Sequence, residues 1–353
     1  HDPLNSLSHS LCRKAGRILS RAFLAADSTW KEGIPMANAA LSRKQGAKAY
    51  LRKLGKDIWR DGDAYLLVVP VLLYFFLFHY KSMYGAIIAF KNFAPMRGIL
   101  GSPWADNYGF AHFISFFESY YFGRLLRNTL TISLATLVFG FPAPIILALL
   151  LNEVRSTRFK RFVQTITYMP HFISMVVICS MIRMFVAENG VITQMLLPFG
   201  IKQGSMLSHP EYFVPLYVIS GIWQEVGWGS IIYVAALTGI DQELYEAART
   251  DGAGRWQQTL HVTLPGISST IIILLILRMG SVMSVGYEKI ILLYNDGILE
   301  TADVISSFVY RRGLLNYEWS YSTAVGLFNS VINFILIVLF NRLSRALSET
   351  SLW

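Results

Sequence analysis

Long apolar runs constrain this chain more than any other feature. Six of them, at about 64–84, 127–152, 162–187, 213–240, 267–286 and 321–341, carry few charges and no polar stripe at helical spacing. Each reaches the roughly 20 residues that an α-helix needs to cross hydrocarbon. A soluble helical bundle would show polar faces recurring every three to four residues, and these runs do not. Composition agrees: 54% of the 353 residues are hydrophobic and 15% are charged, against about 25% charged in soluble domains. The third run is the least regular, since its first part stays polar up to Met169. The expectation is an all-α membrane protein with six transmembrane helices.

The net charge of +9 then reports topology. Lys and Arg number 12 before the first run, 4 between the second and third, 2 in the segment 241–265 and 2 in the C-terminal tail. The alternate loops hold 4, 1 and 3. Cytoplasmic loops retain the positive charge, so both termini and segment 241–265 are placed inside. No basic stripe interleaves with stacking aromatics, which argues against a nucleic-acid partner. Cys12 and Cys179 offer no disulfide framework. The first 35 residues lack an apolar core ahead of a cleavage site, so the first run reads as an uncleaved anchor. Met36 is an alternative start, which leaves open whether residues 1–35 are native.

Four segments follow: a cytoplasmic tail over 1–63, a first span with an outer interfacial segment over 64–126, a five-helix core over 127–345, and a cytoplasmic tail over 346–353. Within the first, Ala47, Tyr50, Leu51, Leu54 and Ile58 follow helical spacing among Arg and Lys residues. A basic amphipathic helix of this kind either lies on the inner lipid surface or forms a solvated linker. The outer segment, about 85–124, is dense in aromatics such as Phe90, Phe93, Trp104, Phe116 and Tyr120. Such rings favour the membrane interface, and partner binding is the alternative. Phe141–Pro144 reads FPAP, where two prolines bend a helix either at a pathway or as an ordinary structural kink.

Segment 241–265 is too polar for lipid and too regular for a passive loop. Asp241 suits an N-cap for a helix over 242–250, with Glu243 near the positive end of its dipole. Leu244, Ala247 and Ala248 form a small apolar face. Gly252 permits the left-handed turn that ends the helix. A second helix over 254–263 presents Trp256 and Leu260, and Pro265 is expected to break it before the fifth span. The product is a structured cytoplasmic elbow on which a second protein can push.

Here the chain resembles a known family. Glu246-Ala247-Ala248, then Asp251-Gly252-Ala253, Trp256 and the closing Leu264-Pro265 match the EAA loop of binding-protein-dependent ABC importer permeases. Thr259 stands where an aromatic is usual, and Val262 replaces the commoner isoleucine. The resemblance extends with six-span topology over about 128–345. It implies a type I ABC importer permease fold whose elbow is the coupling helix of a cytoplasmic ATPase. MYGAIIAFKNF at 83–93, GSPW at 101–104 and Arg127-Asn128-Thr129 resemble the carbohydrate branch, including permeases of the alginate-import type. The resemblance implies an importer of oligosaccharide or polysaccharide fragments, with an acidic, alginate-like saccharide among the solutes it allows. It also implies a bacterial cytoplasmic (inner) membrane location and alternating access. The implied partners are a second permease subunit in a heterodimer, two ATPase subunits, an extracytoplasmic solute-binding protein and membrane lipid. The chain lacks a GxxxxGK[ST] loop, so no cofactor is expected on it, and ATP and Mg fall to the partner ATPase.

Charges inside spans are functional candidates because burying them is costly. Arg183, Glu225 and Arg278 qualify, and Trp223, Trp228 and Tyr233 accompany Glu225 as surfaces on which sugars stack. Together they form the candidate solute pathway. The bland alternative is that Glu225 pairs with one of the arginines to hold helices together. Lys289, Arg311 and Arg312 either meet the binding protein or form a solvated face. No metal-ligand spacing, nucleophile elbow or paired carboxylates are legible, so the chain is not expected to be an enzyme. A permease for a non-sugar solute is the nearest alternative. A polytopic glycosyltransferase would need an acidic cluster on an outer loop, and a passive channel gives no reason for the elbow.

Overall fold

The computed structural model describes residues 62–347; the basic helix expected near 43–60 and the tail from 348 onward lie outside the described residues. Those residues are helical, with an isolated bridge between Lys91 and Trp104 and no strand among them. The chain divides into two compact units, His1–Tyr80 and Lys81–Trp353. In the first, α1 (Gly62–Tyr74) continues into a π-helical turn, Phe75–Tyr80.

In the second unit, α2 (Ala111–Phe117) leads to α3 (Phe122–Ala135), a π turn at Thr136–Gly140, and α4 (Pro142–Glu153). Next come α5 (Thr157–Tyr168), α6 (Met175–Phe185) and the 28-residue α7 (Pro210–Leu237). The elbow contains α8 (Gln242–Thr250) and α9 (Arg255–Gln258). After it, α10 (Ser268–Met279), α11 (Tyr287–Leu293) and α12 (Ile305–Tyr310) precede α13 (Trp319–Leu347).

Among the described residues three helices are long and apolar enough to cross a membrane: Leu66–Phe90, Phe122–Glu153 and Trp319–Ala346. The count reaches five if each of two bent pairs is one span. Helix α7 is long enough as well, but Gln224, Glu225 and several glycines dilute its hydropathy. On the second and last of the three, Leu134, Val138, Phe139, Leu150, Phe334 and Leu339 are exposed. Apolar bands of that length suit lipid or a neighbouring helix, not water.

Two of the expected runs are not straight helices. Thr157–Phe172 meets Met175–Phe185 at 102°. Pro170 supplies no N–H, the helix tightens to a 3₁₀ turn over Met169–Phe172, and Ile173 becomes extended. Ser174 then starts a new helix, its hydroxyl accepting from the Val177 N–H at 3.4 Å. In the second case Pro265 does not end the elbow helix. The helix runs on through Arg255–Gly266, and the 59° bend falls only after Gly266. A π turn at Thr259–Thr263 widens the helix just ahead of the proline, so the ring is accommodated. The same device, Thr136–Gly140, precedes Pro142 and Pro144.

Helix α7 crosses its neighbours at very short range. A Cβ on Gly227 would lie 2.1 Å from the Thr167 carbonyl oxygen of α5, and one on Gly229 would lie 3.0 Å from Pro144 Cγ of α4. Pro144 of FPAP thus forms a packing surface for α7. Around these crossings sit three apolar clusters. One, near the elbow, joins Ala148, Tyr233, Leu237, Ile240 and Ile267. The others join Cys179, Phe213, Ile290 and Leu293, and Phe116, Leu125, Met283 and Phe308.

The aromatic outer segment is largely packed. Phe116 is buried against Phe122 and Phe328, and the Phe93 N–H donates to Ser320 Oγ at 2.9 Å. Lys91 closes the loop over 91–105 by donating to the Ile99 and Leu100 carbonyls and covering the Trp104 ring at 5.0 Å.

Gly227→Ala should force the α5–α7 crossing apart, at a cost of about 1–3 kcal/mol, and lower the unfolding temperature in detergent. Gly326→Ala is the control: nothing lies within 4 Å of its added Cβ, so that temperature should hold or rise. An unchanged transition for Gly227→Ala would refute the close crossing.

Candidate functional site

The elbow is built by three local devices. Asp241, extended at φ −64° and ψ 131°, accepts the Glu243 N–H on its carboxylate at 3.0 Å and so starts α8. At the other end Gly252 takes φ +80°, a region that disfavours any Cβ. Its N–H donates to the Arg249 carbonyl at 3.0 Å, and the Ala253 N–H donates to the Ala248 carbonyl at 2.8 Å. Those two bonds make a complete Schellman stop. Gly254 then opens α9, its N–H held by the Gln257 side chain at 2.8 Å, while Gln258 donates to the Ala253 carbonyl at 2.7 Å.

The elbow is also tied to the helices it joins. Tyr245 Oη and Thr263 Oγ1 lie 3.0 Å apart, linking the two arms through a fully buried threonine. A Cβ on Gly266 would lie 2.9 Å from Ile240 Cδ1, so the exit of the elbow presses on the residues just beyond α7. The opposite face is left uncovered by the described residues. Glu246, Ala247, Asp251, Gly252 and Pro265 are exposed, as are Leu244, Trp256 (76%) and Leu260; Ala248, Ala253 and Leu264 are half-buried. A recess of about 350 Å³ opens beside Ala248, Asp251, Gly252 and His261. The result is a stiff, two-armed platform with an unpaired tryptophan on its surface.

Of the pathway candidates, Glu225, Tyr233 and Arg278 line one cavity of about 680 Å³ bounded by α7, α10 and the start of α11, whereas Arg183, Trp223 and Trp228 do not. Arg183 is exposed and donates to the Tyr294 carbonyl at 3.3 Å, while α6 reaches the cavity only at its first residue, Met175. Glu225 pairs with neither arginine. Its carboxylate meets His171 Nδ1 at 3.0 Å, and the His171 ring stacks on Trp228 with centroids 4.4 Å apart. Trp228 therefore orients the histidine that holds Glu225. Trp223 remains exposed on the same helix.

Lys289 was expected in a free outer loop, and the structure places it elsewhere. It is 5% exposed and lines the same cavity, donating to the Tyr217 carbonyl at 2.9 Å with its ammonium 4.7 Å from the Tyr217 ring centroid. Burial pushes its pKa down to about 8, so the ammonium form still dominates at neutral pH. Gln224, buried in α7, lines the cavity too. The signals for Lys289 and His171 were faint: a single lysine ahead of Ile290–Leu293, and a histidine beside the breaking Pro170.

Arg311 and Arg312 are likewise engaged. Asp303, 1% exposed, sits between Arg311 at 2.6 Å and Arg124 at 3.2 Å and accepts from Ser307 at 2.8 Å. Asn128 donates to the Asp303 and Glu300 carbonyls, and Arg312 pairs with Glu318 at 2.8 Å. This buried clasp joins α3 to α12 at the end of the molecule away from the elbow.

Comparison with known proteins places these features in context. Residues 140–349 match the family model for a binding-protein-dependent transport system inner membrane component. The polygalacturonan/rhamnogalacturonan transport system permease protein YteP of Bacillus subtilis (strain 168) is 42% identical, over 90% of this chain and 98% of that protein. The crystal structure of a bacterial ABC transporter involved in the import of the acidic polysaccharide alginate contains a chain that is 43% identical, with a TM-score of 0.76, covering 84% of this chain and 99% of its own. A second crystal structure, of the alginate transporter in complex with an alginate pentasaccharide-bound periplasmic protein, gives 42% identity and a TM-score of 0.77 over 85% and 100%.

Tyr245→Phe removes the hydroxyl bridge to Thr263. It should cost about 1 kcal/mol and raise amide hydrogen exchange across 242–263 without altering exchange near Asp303. Unchanged exchange in the elbow would show that the bridge does not stiffen it.

Proposed function

The chain belongs to the family of binding-protein-dependent transport system inner membrane components, and we propose that it is the permease subunit of an ATP-driven importer of acidic oligosaccharides or polysaccharide fragments. It is a membrane subunit of a bacterial ABC importer with the type I permease fold, and it is not itself an enzyme. Hydrolysis of ATP belongs to a separate subunit of such importers. The finer reading adds six crossings, with both termini and the elbow on the cytoplasmic side. In it α7 is the fourth span, and the two bent pairs are the third and fifth. A second, different permease subunit completes the pore, two ATPase subunits bind below it, and an extracytoplasmic solute-binding protein delivers the sugar from above. ATP and Mg²⁺ reside on the ATPase.

One observation carries the reading. The Schellman-stopped elbow offers Leu244, Trp256 and Leu260 to a partner, and it is braced against the base of α7, whose other face walls the cavity. Force on the elbow therefore reaches the space where a solute would sit. In this mechanism Glu246, Ala247, Ala248, Asp251, Ala253, Leu264 and Pro265 shape the docking platform, and Gly252 holds its turn. Glu225, Tyr233 and Arg278, with Trp223, Trp228 and Arg183 nearby, belong to the solute route. Acidic sugar as cargo is supported by what the relatives carry: polygalacturonan and rhamnogalacturonan in one, alginate in another.

The test separates coupling from folding. Gly252→Val strains a left-handed residue that meets no neighbour within 4 Å, at a cost of roughly 1–2 kcal/mol. Trp256→Ala removes a side chain that is mostly exposed. Both variants should insert and stay folded, yet lose at least tenfold in uptake and in solute-stimulated ATP hydrolysis by the reconstituted complex. Normal uptake and ATPase stimulation in both would exclude the elbow as the drive surface.

A further inference from the structure

The ammonium of Lys289 is a buried charge with no ion-paired carboxylate among the described residues. Among the described residues no carboxylate lies within ion-pair distance of it, and Glu225 acts on it only from further away. Its bonding consists of the Tyr217 carbonyl at 2.9 Å and the Tyr217 ring. An ammonium has three N–H donors, so two remain for an occupant of the cavity. The way to them is open at α7, because Gly221 carries no side chain: a Cβ there would lie 3.4 Å from Nζ.

Other charges lining the same cavity do not form an ion pair with it, although Glu225 attracts it through space. The Glu225 carboxylate is held by His171, Glu288 is exposed, and Arg278 is a second cation. Buried charges are ordinarily paired, and one left unpaired in a membrane protein marks the place where a charge arrives. The missing counter-ion is a small anion, and the cavity of about 680 Å³ has room for a sugar unit bearing one.

We infer that Lys289 forms a carboxylate subsite in this cavity, reading the acid groups of a uronate-containing oligosaccharide as it passes. The inference rests on the proposed reading of the chain as an acidic-oligosaccharide permease. Lys289 donates to the uronate carboxylate while Tyr217 holds the ammonium in place, and Gly221 keeps the approach clear. A neutral sugar of the same length forfeits that bond, so the subsite favours uronates over neutral units.

The experiment uses the full importer in proteoliposomes with its solute-binding protein. Uptake of a galacturonate oligomer is compared with uptake of the same oligomer after reduction of its carboxyl groups to alcohols. Binding of each oligomer to the solute-binding protein is measured in parallel, and uptake is scaled to it. Lys289→Gln should lower acidic uptake at least tenfold and leave neutral uptake within twofold. Lys289→Arg should recover most of the acidic uptake, and copurification with the ATPase checks that each variant assembles. Equal loss of both solutes would mean that Lys289 only staples α11 to α7, and loss of neither would mean that it touches no solute; either result overturns the subsite and leaves the functional reading standing. A wild-type complex that carries neither oligomer overturns the functional reading, and the subsite with it.

Discussion

Backbone-distance packing around α7 is the constraint on which the rest of the structure depends. Gly227 lets that helix approach α5 more closely than any side chain would permit, and Gly229 leaves only a tight fit against α4. In hydrocarbon the hydrophobic effect does little to bring helices together, and small residues at crossings supply the dispersion contact instead. With α7 held so tightly at its middle, its two ends have fixed tasks. The lower end meets the elbow through Ile240 and Gly266, and the face in between borders the cavity with Gln224, Glu225 and Tyr233. A motion delivered at the elbow cannot be absorbed by loose packing above it.

Polar and charged groups inside the helical body are managed in different ways. Asp303 is enclosed by two guanidinium groups and a serine hydroxyl, a structural arrangement that leaves no oxygen idle. Breaking such a buried set is far more costly than the set itself is stabilising. Glu225 is held by one histidine, which is itself stacked on Trp228, so its surroundings are adjustable. Lys289 has only a carbonyl and a ring. The clasp carboxylate is thus fully engaged, whereas Lys289 beside the cavity keeps donors to spare.

Breaks in the helices are equally purposeful. Two of the π turns widen the backbone ahead of a proline, at Thr136–Gly140 before Pro142 and at Thr259–Thr263 before Pro265. The sharp turn after Phe172 moves α6 sideways and carries Arg183 away from the cavity while leaving His171 beside it. Membrane helices tolerate such interruptions where neighbours satisfy the freed backbone groups.

Much of the molecule was legible in the residues alone. Apolar runs of membrane length, the Asp241 cap and the glycine stop at Gly252 are local features, decided by side chains within a few positions of one another, and the structure has the caps where the pattern puts them. The EAA match likewise lies within one short block. What no local pattern could supply is which residues meet across 50 or more positions: His171 with Glu225, Lys289 with Tyr217, Asp303 with Arg124. Apolar periodicity carries no record of such pairings, because helices of similar hydropathy can pack in many registers. The sequence by itself determined a helical membrane chain with a capped, structured elbow; only the tertiary structure decided which charges are spent on holding it together and which border the cavity, since that depends on the close crossing of α7 and on where the bent helices point.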